Sequence, residues 1–200
     1  MKTNLLSFLL VSLSFVSYAQ STSPAIPKST TEIGFNLGHA ADNAYSYDRQ
    51  FRLGGFIRSS LSLLWNQGNT QYGLTIEGGT NSNDYWYVSP GLVFNHRFPS
   101  GQAYFYAGAM GGYLCSNDMV PRWAGSVKKM AHGFAFGIHG GFVQPLSKHL
   151  SFTSEVAVRS TQHWQKFKSY QYFGGAEIKE TTESITVIYF PVSIGLRYNL

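Results

Sequence analysis

Two groups of side chains in this 200-residue sequence are of types that carry chemistry. The first is a set of charges spread through alternating segments: Glu32, Glu77 and Glu155 against Arg52, Arg58, Arg97, Arg159 and Arg197, with His139 among them. Gathered on one buried face, they would have to compensate one another, because an isolated buried charge is costly. With enough water among them they could instead relay protons or ions. The second group is His149-x-Ser151 followed by Glu155. Acyl transfer by a hydroxyl needs this trio: a serine nucleophile, an imidazole to take its proton and an acid to orient the imidazole. Beyond these the inventory is short. The six histidines show no metal-ligand spacing, no glycine-rich loop precedes a helix, and the single cysteine, Cys115, cannot form an internal disulfide and reads as an inert loop thiol. No cofactor and no metal is expected.

The elements that must position these residues alternate with a period of two, which is the signature of strands. Eight such runs cover roughly residues 30–40, 51–64, 70–79, 86–98, 103–114, 133–143, 150–160 and 185–200. In the second, Phe51, Leu53, Ile57, Leu61 and Leu63 oppose Arg52, Arg58, Ser60 and Ser62. In the third, Tyr72, Leu74 and Ile76 oppose Thr75 and Glu77. In the fourth, Val88, Pro90, Leu92, Phe94 and Phe98 oppose Asn95 and Arg97. Phe134, Phe136, Ile138 and Phe142 oppose His139 in the sixth, and Leu150, Phe152, Val156 and Val158 oppose Glu155 and Arg159 in the seventh. The fifth run is ambiguous, with aromatic residues on both faces: Tyr104, Tyr106 and Met110 against Phe105, Ala107 and Ala109. The predicted fold class is all-β, an eight-stranded antiparallel up-and-down barrel.

Such a barrel can keep its apolar face inward around a ligand, as lipocalin-type binders do, or turn it outward to lipid. Alternation fits both. Composition and organisation favour the second. Charged residues are 12% of the chain, about half the usual ~25% share, while aromatics reach 16% and Gly counts 21. Residues 1–19 read as a secretory signal peptide, with Lys2, a short apolar core and Ser17-Tyr18-Ala19 as the cleavage site. Residues 20–29 form a polar leader containing Pro24 and Pro27, and residues 30–200 form the barrel. Connections after the second, fourth and sixth runs are short, whereas residues 115–132 and 161–184 make long loops. Short turns on one rim and long loops on the other is the outer-membrane pattern, with the turns in the periplasm. The modest basic excess contains no Lys or Arg run suited to nucleic acid.

The last eight residues, Ser-Ile-Gly-Leu-Arg-Tyr-Asn-Leu, resemble the C-terminal assembly signal of bacterial outer-membrane barrels. Ser193, Gly195, Tyr198 and Leu200 fill its specified places, with Leu200 where a terminal aromatic is usual. With the eight-run architecture, this makes the chain resemble the small outer-membrane barrel family of the OmpA and OmpX type. The resemblance implies residence in the outer membrane of a Gram-negative bacterium and insertion by the barrel-assembly machinery. It also implies a role ranging from structural to adhesive; the expected partners are membrane lipid and lipopolysaccharide, and the expected state is a monomer. The His149–Ser151–Glu155 arrangement resembles that of lipid A deacylases. The topology opposes that function, because His149 would sit in a periplasmic turn while the lipid A acyl chains lie in the outer leaflet. The expected role is therefore non-enzymatic, with a lumen plugged by the charge set.

Specificity, if present, belongs to the loops. Arg122, Lys128 and Lys129 make the third loop basic. The fourth offers Trp164, Lys166, Phe167, Lys168, Tyr170 and Tyr172 as a surface-binding set. Its two halves flank Gly174-Gly175 and alternate, which predicts that the last two strands continue beyond the membrane as a hairpin. Lipid-facing positions are even-numbered on both strands, so residues opposed across the pair must sum to an even number. A two-residue turn at Gly174-Gly175 would break that rule. The hairpin must contain an odd-length loop or one bulge, at Gly174 or near Pro191, which has no N–H to give a ladder.

Overall fold

The computed structural model describes residues 29–46, 50–51, 55–81, 85–117, 130–170 and 178–200. The predicted leader peptide, Arg52, the basic third-loop residues Arg122, Lys128 and Lys129, Tyr172 and Gly174-Gly175 lie outside them. Among the described residues there are nine strands: β1 Ser29–Ser46, β2 Gln50–Phe51, β3 Phe56–Gln67, β4 Thr70–Asn81, β5 Trp86–Ser100, β6 Ala103–Ser116, β7 Ala131–Pro145, β8 Leu150–Tyr170 and β9 Ile178–Asn199. Each pairs antiparallel with its successor, except that β1 pairs with β3, and the two-residue β2 only extends the far end of β1. β1 also pairs with β9, from Glu32↔Asn199 to Ser46↔Ile185, which closes eight strands into a barrel with no open edge.

Side-chain alternation follows the predicted faces. Leu92 and Ile138 are each 66% exposed, and Ile57, Leu61, Leu74, Ile76, Phe94, Val156, Phe190 and Ile194 also point outward. Arg58, Glu77, Arg97, Glu155, Arg159 and Arg197 are buried inside. A lipocalin-type barrel has the opposite arrangement, so that alternative is excluded. The ambiguous run resolves cleanly: Tyr106 and Met110 are buried in the lumen, while Phe105, Ala107 and Ala109 face outward. Because Leu92 sits at the middle of β5 on the outer face, Leu92→Arg is expected to destabilise the barrel in lipid by about 2–4 kcal/mol, the cost of Arg at a bilayer midplane. Denaturant unfolding from lipid vesicles measures it, and a loss below ~1 kcal/mol would place Leu92 near a headgroup region instead.

Two hairpins at one rim are as tight as chain geometry allows. Gln67↔Thr70 and Ser100↔Ala103 each enclose two residues, and the first of each pair, Gly68 (φ 57°) or Gly101 (φ 62°), has a positive φ. The turns whose twist matches a β-hairpin need that conformation, and glycine supplies it without steric cost. At the other rim β8 and β9 run on well past their neighbours. Their pairs keep one register from Leu150↔Tyr198 to Tyr170↔Ile178, every pair summing to 348. The described pairs are thus centred on position 174, with residues 171–177 beyond the last of them. The even sum that shared faces require is met; a bulge at Gly174 would fall outside the described residues, and no bulge is present near Pro191. Instead the ladder is interrupted between Val156↔Val192 and Arg159↔Tyr189, opposite Pro191, and resumes unshifted. β5 and β6 show a similar gap beside Pro90, between Val88↔Cys115 and Gly91↔Gly112.

Candidate functional site: the charged lumen

The lumen is filled by side chains in tiers. Alternation places the inward residues, and the closed barrel brings residues from distant strands into contact. Nearest the short-turn rim, the Glu32 carboxylate accepts from Asn66 Nδ2 at 2.7 Å and Gln71 Nε2 at 3.1 Å, and stands 3.5 Å from Arg197 Nη1. Gln71 Oε1 in turn accepts from Asn95 Nδ2 at 2.9 Å and from Arg197 at 3.1 Å. The Arg197 guanidinium lies 4.7 Å from the centre of the Tyr106 ring and donates to the Tyr104 hydroxyl at 3.2 Å.

The middle tier is organised by two carboxylates and two guanidiniums. Arg58 donates to Glu77 at 2.6 Å and to Glu155 at 3.5 Å. Arg159 stands 3.6 Å from each of the same two carboxylates. Each cation stands against both acids, so the four charges neutralise locally, the condition under which buried charges are tolerated. Hydroxyls complete the carboxylates. Tyr87 and Tyr189 donate to Glu77 at 2.8 and 3.0 Å, and Tyr106 donates to Glu155 at 3.0 Å. His139 links this tier downward, bonding Asn95 on one nitrogen and standing 3.2 Å from Arg159 on the other. The cavity left among these groups is about 30 Å³, room for one or two waters.

Eight of the nine residues expected in the lumen network lie among the described residues, and all eight are inside the barrel. Arg97 departs from the expected pairing. It donates to the Gly68 carbonyl and lies 5.5 Å from the centre of the Tyr104 ring, with no carboxylate partner among the described residues. Sequence reasoning missed Tyr87 and Tyr189, the donors that finish the Glu77 shell. The available signal was their place on the inward parity of β5 and β9.

The possible catalytic trio is not assembled. His149 lies exposed in the turn before β8, stacks on the outward Tyr198 at 5.8 Å, and its Nδ1–H donates to the Asn199 carbonyl at 3.2 Å. Ser151 and Glu155 are inside, and Glu155 is held by Tyr106, Arg58 and Arg159. His149 therefore does not share their face, because the turn releases it from the alternation of the strand. A different hydroxyl–imidazole contact exists, Ser116 Oγ to His163 Nδ1 at 3.2 Å. Both residues are fully buried, and the other His163 nitrogen meets Thr161 rather than an acid. That pair completes the inner packing at the long-loop end.

Of the fourth-loop set, Trp164 is exposed and packs edge-on against Phe134 at 5.6 Å, next to Tyr113 and His132. Lys166, Phe167, Lys168 and Tyr170 fall on the paired backbone of β8, opposite Thr182, Thr181, Glu180 and Ile178. In the closing segment Ser193 is buried, Gly195 half-buried, and Tyr198 and Leu200 are exposed on the outer face.

No family model matches the sequence, and no curated protein matches it. Solved structures do. The chain is similar to Neisserial surface protein A, with a TM-score of 0.58 and 12% identity over 86% of this chain and 99% of that one. It is likewise similar to the outer membrane protein OprG from Pseudomonas aeruginosa, with a TM-score of 0.51 and 13% identity over 90% and 98% of the two chains. At such identities the likeness is one of fold: the chain has the antiparallel β-barrel fold of these two proteins, closed here by eight strands.

Proposed function

We propose that this chain is a non-enzymatic, monomeric barrel of the outer membrane of a Gram-negative bacterium, exported by the peptide at residues 1–19. In this reading its lumen is a structural plug and its long-loop rim is available for surface contacts. One observation carries the reading: the outer wall is a continuous apolar band, while all the described lumen charges are buried within. In water that arrangement would expose most of the large hydrophobic side chains; in lipid it satisfies both faces. Aromatic residues border the band. Phe105, His149 and Tyr198 lie towards the short-turn rim, and Tyr113, Trp86 and Trp164 towards the other. Phe105 and Tyr113 are eight residues apart on β6, about 27 Å along a strand at ~3.4 Å per residue. Tilted by ~40°, that spans ~21 Å along the membrane normal, so both rings lie near the edges of the ~25 Å apolar band of outer-membrane barrels.

Lipid and lipopolysaccharide are the obligatory partners on this reading, with the assembly machinery acting on the closing segment. The test is fractionation. The mature chain is expected in outer-membrane fractions and to migrate differently on gels before and after boiling. Recovery as a soluble, detergent-independent monomer would overturn the proposal. A second measurement addresses the loops: replacing Trp164, Lys166, Phe167, Lys168, Tyr170 and Tyr172 by serine is expected to leave heat-modifiable mobility intact while reducing attachment to lipopolysaccharide-coated surfaces. Unchanged attachment would confine the role to a structural one.

A further inference from the structure

The charges of the described lumen do not balance, and the surplus has a location. Glu32, Glu77 and Glu155 face Arg58, Arg97, Arg159 and Arg197, three carboxylates against four guanidiniums. Glu77 and Glu155 are shared by Arg58 and Arg159, and Glu32 stands 3.5 Å from Arg197. Arg97 is left over. It is 2% exposed, its guanidinium donates to a backbone carbonyl, and its Nε–H has no acceptor among the described residues. A buried cation without a counter-charge is among the costlier arrangements a protein can hold.

Arg97 also lines a cavity of about 350 Å³ at the short-turn mouth of the barrel. Lys148 contributes a second cation to that cavity, and Tyr104, Ser151, Gln102 and Asn199 bring hydroxyl and amide groups to its wall. Glu32 lines it as well, and would oppose an anion. Its oxygens, however, are already engaged by Asn66, Gln71 and Arg197. The polar leader that precedes β1 contains no Asp or Glu in residues 20–29, so it cannot supply the missing charge.

We propose that the short-turn mouth is a binding site for a small oxyanion, a phosphate or carboxylate group, received by the Arg97 guanidinium with Lys148 as a second cation. A planar guanidinium presents paired N–H donors that match either group in two-point fashion, and a charge-assisted contact there would satisfy the orphaned Nε–H. The site opens towards the rim that the proposed topology places in the periplasm, and the tiers above it are packed. The anion would therefore be bound and released on one side rather than conducted.

The experiment uses the full barrel in detergent micelles, first checked for heat-modifiable mobility so that loss of the fold is not read as loss of the site. Inorganic phosphate and, separately, acetate are titrated at constant ionic strength while the Arg97 Nε–Hε resonance is followed. A saturable shift is expected. Saturation by phosphate at lower concentration than acetate identifies a phosphate-bearing ligand, and the reverse order a carboxylate. Lys148→Gln is expected to weaken binding about threefold, as for a partly exposed charge. Arg97→Gln should weaken it tenfold or more, as for a buried charge-assisted bond. Because Arg97→Gln also frees the Gly68 carbonyl and could disturb the turn, the native titration and Lys148→Gln decide if that variant misfolds. No saturable shift with either anion, or unchanged affinity in the folded variants, would overturn the proposal.

Discussion

Glu77→Ala is expected to lower the unfolding free energy of the barrel by about 3–5 kcal/mol, measured by denaturant unfolding from lipid vesicles. The carboxylate accepts from Arg58, Tyr87 and Tyr189 and stands 3.6 Å from Arg159. Truncation leaves two guanidiniums and two phenols in a tier whose cavity admits only a water or two. The cost is that of stranding the partners, more than the worth of the bonds themselves. Glu155→Ala should act in the same direction. It keeps Arg58 and Arg159 on Glu77, so the loss should fall at the lower end. The outward Val156→Leu, one residue along the same strand, adds a methylene to a lipid-facing position and should change stability by less than ~0.5 kcal/mol. Equal losses for Glu77→Ala and Val156→Leu would show that the inner charges are solvated.

Removal of residues 198–200 is expected to abolish surface assembly, with the truncated chain degraded in the periplasm. Two effects coincide. The truncation deletes Tyr198 and Leu200 from the closing segment proposed to be read during insertion. It also removes the Glu32↔Asn199, Ile33↔Tyr198 and Leu150↔Tyr198 pairs, which begin both seams of β9. The substitution Tyr198→Ala separates the two, since it keeps the backbone ladder and alters only the recognised side chain. Quantitative immunoblots of outer-membrane fractions measure both variants. Normal levels of the truncation would remove the assembly role.

Much of this architecture was legible because a barrel wall imposes one rule on every strand. Alternation at Leu74-Thr75-Ile76-Glu77 or Val156-Ala157-Val158-Arg159 assigns inside and outside without reference to any other strand. On β6 the alternation holds but residue type does not say which face is inner: Tyr106 faces inward and Phe105 outward. An aromatic ring suits either side: in lipid by its apolar body, in the lumen by giving its hydroxyl to Glu155. Parity also demanded an odd-length loop or a bulge in the β8–β9 hairpin, since opposed residues must share a face. Individual partners were not legible. Which carboxylate meets which guanidinium depends on the stagger between strands and on side-chain reach across the lumen. Arg97 obeyed the alternation and still meets no acid among the described residues; the two-residue turn at Gly68 brings it a carbonyl instead.

The inner web has a kinetic consequence. The bond from Tyr189 to Glu77 joins residues 112 apart in sequence, and that from Arg197 to Gln71 joins residues 126 apart. Neither can exist on an isolated hairpin or on an open sheet; both need the final strand seated against the first. The web therefore contributes nothing to the early approach of the strands, whose closure entropy must be met by ladder bonds and lipid burial alone. It forms behind the last seam, and it must break before that seam can reopen. Weakening it should quicken unfolding while leaving the rate of insertion almost unchanged, so the plugged lumen sets the lifetime of the barrel more than its rate of assembly.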